Sequence, residues 1–326
     1  MRKKGLLLIV TMLLSMTAHA QLDLVTVEIT DGISDTTLKE TIESNATILI
    51  SEFNRTIMEG GKPKLPKSIC SKETTEDILK MWKSSPMSCP VSSIKEKLLS
   101  SPGGYQIRNI PITLMNAPDD KADQDLVINF TNTGEIDNVM IAIDENRYLD
   151  VISANISVND LSRRQIIVDF VENFRTAYNR KDINFLNSVF SDNALIITGK
   201  VIKVKKNSDM AGSLMSQEKV IYQKQSKAQY LENLKRCFKR NKYIDITFDS
   251  LEVLRHPRYD DIYGVNLKQY WNSSTYSDIG YVFLLIDFKD DAQPCIQVRT
   301  WQPEKYNGKQ INRNEIFTLS SFNIKR

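Results

Sequence analysis

Residues 174–199, FRTAYNRKDINFLNSVFSDNALIITG, decide how the chain is read. Phe174 and Tyr178 stand one turn apart on the apolar face of a helix. The corner after Asn179 breaks that helix. Asp182 is placed to cap a second one by accepting from backbone N–H groups that have no partner within the helix. Phe185, Leu186, Val189 and Phe190 form its inward side, and residues 194–198 then change to strand spacing. Helix, corner, short helix and strand in this order suit a cup-shaped fold.

Upstream, Ser162 and Gln165 fit a capping box, so the first helix is expected to start there. Its apolar face is Ile166, Ile167, Phe170, Val171, Phe174 and Tyr178. Downstream, residues 201–204 continue the strand character. Ser226 and Gln229 repeat the box ahead of a third helix, buried on Tyr230, Leu231, Leu234 and Phe238. From residue 244 the pattern is β. Residues 244–254 alternate and then change phase near Asp249 and Ser250, which predicts a bulge. Residues 263–271 place Tyr263, Val265, Leu267 and Trp271 on one side. Residues 281–288 are almost continuously apolar, as in a central strand covered on both faces. Residues 295–301 and 316–324 complete the predicted sheet.

The N-terminal half has its own order. Leu38, Ile42, Ala46, Leu49, Phe53 and Ile57 make one stripe of a long helix ended by Gly60 and Gly61. Residues 74–82 and 92–99 read as short helices. Residues 105–114, 125–131 and 137–143 read as strands, with Asn132-Thr133-Gly134 as a hairpin turn. The fold class is therefore α+β in two domains: 21–150, a linker at 151–160, and 161–326. Residues 1–20 carry the marks of a cleavable signal peptide: Arg2, Lys3 and Lys4, a short apolar run, and Ala18-His19-Ala20. Export to the periplasm or beyond is the expectation, with no membrane span.

Composition narrows the function. The chain has 43 Lys+Arg and 40 Asp+Glu, and three of those cations are Arg2, Lys3 and Lys4. The mature chain is thus balanced and has no global attraction for nucleic acid. After the leader, His256 is the only histidine, which excludes any site needing two imidazoles. It precedes Pro257 in an expected turn and suits solvent better than a triad. Cys70 and Cys89 sit in a Pro/Ser-rich stretch and are a possible disulfide in an oxidising compartment. Cys237 and Cys295 suit buried positions on a helix and a strand. There is no CxxC, HExxH, GxSxG or Gly-rich phosphate loop, so no metal or cofactor is expected. Two basic stretches, at 200–206 and 235–242, read mainly as solvated faces.

Over residues 161–304 the order of elements resembles the NTF2-like group, also called SnoaL-like or cystatin-like. The matching motifs are the Asn179-x-x-Asp182 corner and the Phe190-x-Asp192 pair. The resemblance implies three helices on a strongly curved antiparallel sheet, enclosing a cone-shaped cavity. The N-terminal helix-then-sheet order is similar to a degenerate cystatin-like unit. Ketosteroid isomerases share the corner. Their oxyanion-binding tyrosine falls at Phe174 here, and their general-base aspartate at Thr198. Neither residue can do that chemistry, so the resemblance carries the fold and not that reaction.

No catalytic set emerges. The cavity candidates are Phe174, Tyr178, Thr198, Tyr263, Tyr281, Arg299 and Trp301. Strict alternation groups Gln297, Arg299 and Trp301 on one face and Ile296 with Val298 on the other. On the default reading the polar face is outward, leaving a solvated arginine resting on a tryptophan. If it lines the cavity, Arg299 and Trp301 hold an anionic or aromatic ligand. The expectation is a non-catalytic exported protein whose C-terminal cone binds a small molecule or a protein partner, with the N-terminal domain assisting docking. A dimerising scaffold and a hydrolase or isomerase using Arg299 and Asp287 are the alternatives.

Overall fold

The computed structural model describes residues 24–101, 103–117, 119, 122–143, 151, 158–205 and 216–324. The expected leader and residues 152–157 of the expected linker lie outside this part. The chain divides into two compact units, between Ala142 and Ile143.

In the first unit the apolar stripe makes α1 (Thr36–Glu59), with Ile42, Ala46, Leu49 and Phe53 buried. Asp35 caps it, accepting from the Leu38 N–H at 3.0 Å. Gly60, at φ 80°, ends it in a conformation that side-chain-bearing residues disfavour. Its core is completed by β1 (Thr26–Asp31), α2 (Lys72–Ser84) and a sheet in the order β2 (Met87–Ser88), β5 (Gly104–Leu114), β6 (Asp123–Thr131), β7 (Ile136–Ile141). A short β4 (Leu99–Ser101) pairs with β5. Residues 92–99 are not the expected helix. They form β3 (Ser93–Lys97), which pairs in parallel with β1, and then β4. Helix-favouring Lys, Glu and Leu residues are overridden here by the backbone partners that β1 and β5 offer. The thiols of Cys70 and Cys89 are free and buried. Cys70 shares a hydrogen bond with the Thr75 hydroxyl at 3.2 Å, and Cys89 donates to the Val91 carbonyl at 3.5 Å.

The second unit runs α3 (Val158–Arg180), α4 (Ile183–Val189), β8 (Phe190–Lys205), β9 (Ser216–Gln225), α5 (Lys227–Arg240), β10 (Ile244–Arg255), β11 (Ile262–Ser273), β12 (Ser277–Asp287) and β13 (Cys295–Pro303). The sheet order is β10-β11-β12-β13-β8-β9. Neighbours are antiparallel except β13 and β8, which are parallel; the sheet is thus mixed rather than wholly antiparallel. One core cluster joins the three helices to the inner residues of β8 and β10–β13, so the sheet curls round α3. The predicted bulge is present, with the β10–β11 register shifting between Phe248 and Leu251.

Several expectations about corners hold. Asp182 accepts from the Phe185 N–H at 3.0 Å. Asp192 pairs with Lys227 at 2.9 Å. Asn179 accepts from the Ile246 N–H at 3.0 Å, tying α3 to edge strand β10. Ser226 and Gln229 form the capping box of α5. Ser162 does not cap α3, which is already helical at Val158.

The tail differs from expectation as well. Residues 316–324 do not add a strand. Short 3₁₀ turns at Arg313–Glu315 and Leu319–Ser321 bring Phe317, Leu319, Phe322 and Ile324 onto the outer sheet face with Ile262, Phe283, Leu285 and Val298. Phe283 and Phe322 stack at 5.4 Å. Strand β12 is therefore apolar on both faces because helices cover one and the tail covers the other.

Candidate functional site

The polarity of β13 hinges on one residue. The β13 register shifts between Ile296 and Val298 against β8, and between Leu285 and Ile286 against β12. Gln297 is the extra residue of a bulge, so strict alternation fails there. Ile296 joins the inner core and Val298 the outer cluster. Arg299 and Trp301 consequently face inward, contrary to the default reading of a solvated arginine. Arg299 is only 5% exposed.

Both residues line a cleft of about 670 Å³ at one end of the cone, between α5 and the inner sheet face. Gly199 on β8 and Gly280 on β12 flank Trp301. A methyl group at Gly280 would lie 2.6 Å from the indole, and one at Gly199 3.2 Å from it. The two bare positions leave the ring its slot. Tyr230, Trp271 and Tyr276 add further aromatic wall, and Arg236 and Arg240 of α5 line the same cleft.

The cleft floor is polar. The Arg299 guanidinium sits over the Tyr230 ring at 5.1 Å. The Tyr178 and Tyr230 hydroxyls share a 2.5 Å hydrogen bond beside it. Burial opposes the charge on Arg299, but Tyr230, Tyr178 and Asp278 more than offset it, and the group stays protonated. Burial, then Tyr230, pushes the Tyr178 phenol well above its ordinary range. Even so, Nε and Nη1 of Arg299 have no hydrogen-bond partner.

Asp278 lines the same cleft. Burial raises its pKa, against the pull of a Tyr276 hydrogen bond and the Arg299 charge. Its Oδ1 also has no partner. A polar chain runs up another wall: Gln225 donates to Thr198 at 2.7 Å, Asn233 to Gln225 at 2.7 Å, and Arg236 to Asn233 at 2.5 Å.

Of the seven cavity candidates, Thr198, Arg299 and Trp301 line the cleft, and Tyr178 lies beneath it against Arg299. Phe174 is packed among Phe170, Tyr178 and Phe190 and is core. Tyr263 is inward-facing but elsewhere: its hydroxyl donates to Asp160 Oδ1 at 2.6 Å, in a separate charged recess. Tyr281 flanks Val282 of the inner core, so it points to the outer face. Asp287 pairs with Ile262 and Cys295 at the far end of β12, away from the cleft. Its pairing with Arg299 in an active set is therefore ruled out. His256 accepts from the Arg258 and Tyr259 N–H groups and stacks on Tyr259, holding a loop.

Asp278 and Tyr276 escaped the sequence reading, which placed Tyr230 on the buried side of its helix but not in the cleft. Asp278 lies in the loop-like SSTYSD segment ahead of the apolar run, so no strand alternation gave it a face. Another concavity, of about 640 Å³, lies by β9 and the tail. Its Gln302 is satisfied by Tyr222, Glu315 and Phe317 and offers no unpaired group to a ligand.

No family model matches the chain, and no curated protein does. Solved structures do. Bd1075 of Bdellovibrio bacteriovorus is 14% identical over 63% of this chain and 78% of its own, with a TM-score of 0.33. An NTF2-like protein of Cytophaga hutchinsonii is 11% identical over 43% and 98%, at 0.32. ActVI-ORFA of Streptomyces coelicolor is 9% identical over 42% and 95%, at 0.30. Three helices packed on a curled sheet in the order β10-β11-β12-β13-β8-β9 are the arrangement that the NTF2-like resemblance implies. No helix among the described residues is long and apolar enough to cross a membrane.

Proposed function

We propose that the second unit is a small-molecule-binding module whose cleft takes a flat ligand bearing an anionic group. The observation that carries this is the buried Arg299, with two guanidinium nitrogens unpaired on the floor of a cleft walled by Trp301, Trp271 and Tyr230. Unsatisfied buried donors are costly, by about 1–3 kcal/mol each. A preformed guanidinium that pairs only when a ligand arrives converts that cost into affinity and selectivity. Arg236 and Arg240 line the same cleft and favour entry of an anion. The leader-like residues 1–20 support export of this binder.

Native mass spectrometry of the purified protein, before and after denaturation, tests the reading. A small mass lost on denaturation, and absent from Arg299→Gln, is the expected result. An empty protein that binds no aromatic acid at millimolar concentration would sink it. A catalytic reading has one observation in its favour, the partnerless Oδ1 of Asp278 in the same cleft. Turnover of the co-purified molecule by wild type and not by Asp278→Asn would move the assignment there.

A further inference from the structure

Two opposite charges share the cleft without meeting. Arg299 and Asp278 are near enough for each to feel the other's field. Yet Nε and Nη1 on one side and Oδ1 on the other have no hydrogen-bond partner, and no ion pair joins them. A purely structural pair would be expected to close, because an unpaired charge in a low-dielectric site is costly and direct contact recovers much of that cost. Here the guanidinium sits over the Tyr230 ring, and Asp278 lies with Tyr276 on the wall of the same cleft.

Each simple ligand fails one side of this gap. A plain anion satisfies Arg299 but is repelled by Asp278. A plain cation does the reverse. A neutral ring leaves both unpaired. A molecule with an anionic and a cationic group a few bonds apart satisfies both at once and completes a chain of alternating charge.

The geometry points to an aromatic zwitterion, of the amino-acid type, as the ligand class: its carboxylate on Arg299, its ammonium on Asp278 and its ring against Trp301. This rests on the binding role proposed above and adds its second pole. Asp278 is then the residue that selects among aromatic acids, and Arg299 the one that admits them.

The test uses L-phenylalanine, 3-phenylpropionate, which lacks the amine, and phenethylamine, which lacks the carboxylate. Binding is followed by titration calorimetry on the full chain and on Asp278→Asn and Arg299→Gln, each first shown to be folded by circular dichroism. Phenylalanine is expected to bind about tenfold or more tightly than either truncated probe. Asp278→Asn is expected to collapse its advantage over 3-phenylpropionate while that acid still binds. If 3-phenylpropionate binds the wild type as tightly as phenylalanine, or Asp278→Asn leaves the gap intact, the zwitterion assignment is overturned and the anion-binding reading stands. If neither acid binds, the anion-binding reading itself falls.

Discussion

A single bulge residue, Gln297, determines what this cone contains. Were residues 296–299 to alternate strictly, without the bulge, Arg299 would face the outer side of β13 and that inner position would lack its cation. The same local event places Asp278 and Arg299 in one cavity, and it has a stability consequence. Asp278 has a raised pKa through burial, so ionising it is harder in the folded state than in the unfolded chain. The sign follows from linkage: the group does not penalise folding below its unfolded pKa of about 3.9, and the penalty grows as pH rises through the raised folded value. Asp278→Asn removes an ionisation that the empty fold resists. At neutral pH the variant is expected to unfold at a higher denaturant midpoint than wild type, and the difference should vanish toward pH 3. Equal midpoints at both pH values would mean that the carboxylate is already compensated without ligand.

Elements are held in register by a few contacts that pattern alone underdetermines. Gly280 is an example on β12. A side chain there would press on the Gln302 carbonyl as well as the Trp301 indole, the nearest backbone atom lying 2.4 Å from an added Cβ. Gly280→Ala is expected to destabilise the second unit by about 1–3 kcal/mol, the usual range for overpacking, and to weaken ligand binding by tilting Trp301. Denaturant midpoints and a binding titration read the two effects separately. On the opposite side of the cone, α3 is fastened to the sheet through Asp160. That carboxylate accepts from Tyr263 at 2.6 Å and Arg164 at 2.9 Å. Burial works against its charge, but these two partners outweigh it and lower the pKa. Burial, then the bond to Asp160, pushes the Tyr263 phenol up to about 12. Tyr263→Phe leaves Asp160 short of a donor and is expected to cost about 1.5–3 kcal/mol, the range for a hydrogen bond to a charged group. Because a depressed pKa stabilises above the unfolded value, that cost should be full near neutrality. It should fade as pH falls through the folded pKa. A pH-independent loss would show that Tyr263 acts through packing alone.

At the scale of the whole chain, the sequence made the three helices, the central strand β12 and the aromatic stripe of α3 legible. Each is a long periodic pattern with a cap or a bulge marker. It hid the features that depend on contacts distant in sequence: the pairing of β3 with β1, the tail folded over the outer face, the inward turn of Arg299 and the start of α3. The last of these bears on where a folding unit begins. The sequence places the second domain at residue 161, after a small and polar linker. The structure instead carries buried contacts across that line. Asp160 is the partner of Tyr263 and Arg164, and the buried Glu172 carboxylate accepts from the Ile143 N–H at 2.8 Å. The second unit's core clusters contain Ile143, Val151 and residues from 167 onward, while the large core of the first unit ends at Ile141. A fragment of residues 143–326 therefore keeps its core and both buried carboxylate networks. It is expected to unfold cooperatively in urea and to retain ligand binding. A fragment of residues 161–326 loses Asp160 and leaves Tyr263, Arg164 and Glu172 each short of a partner. Losses of about 1–3 kcal/mol at each such group consume most of a typical margin of about 5–15 kcal/mol. The shorter fragment is thus expected to unfold at much lower urea or to show no cooperative transition. Equal midpoints for the two fragments would mean that residues 143–160 are a linker after all, and that α3 is anchored by its apolar face alone.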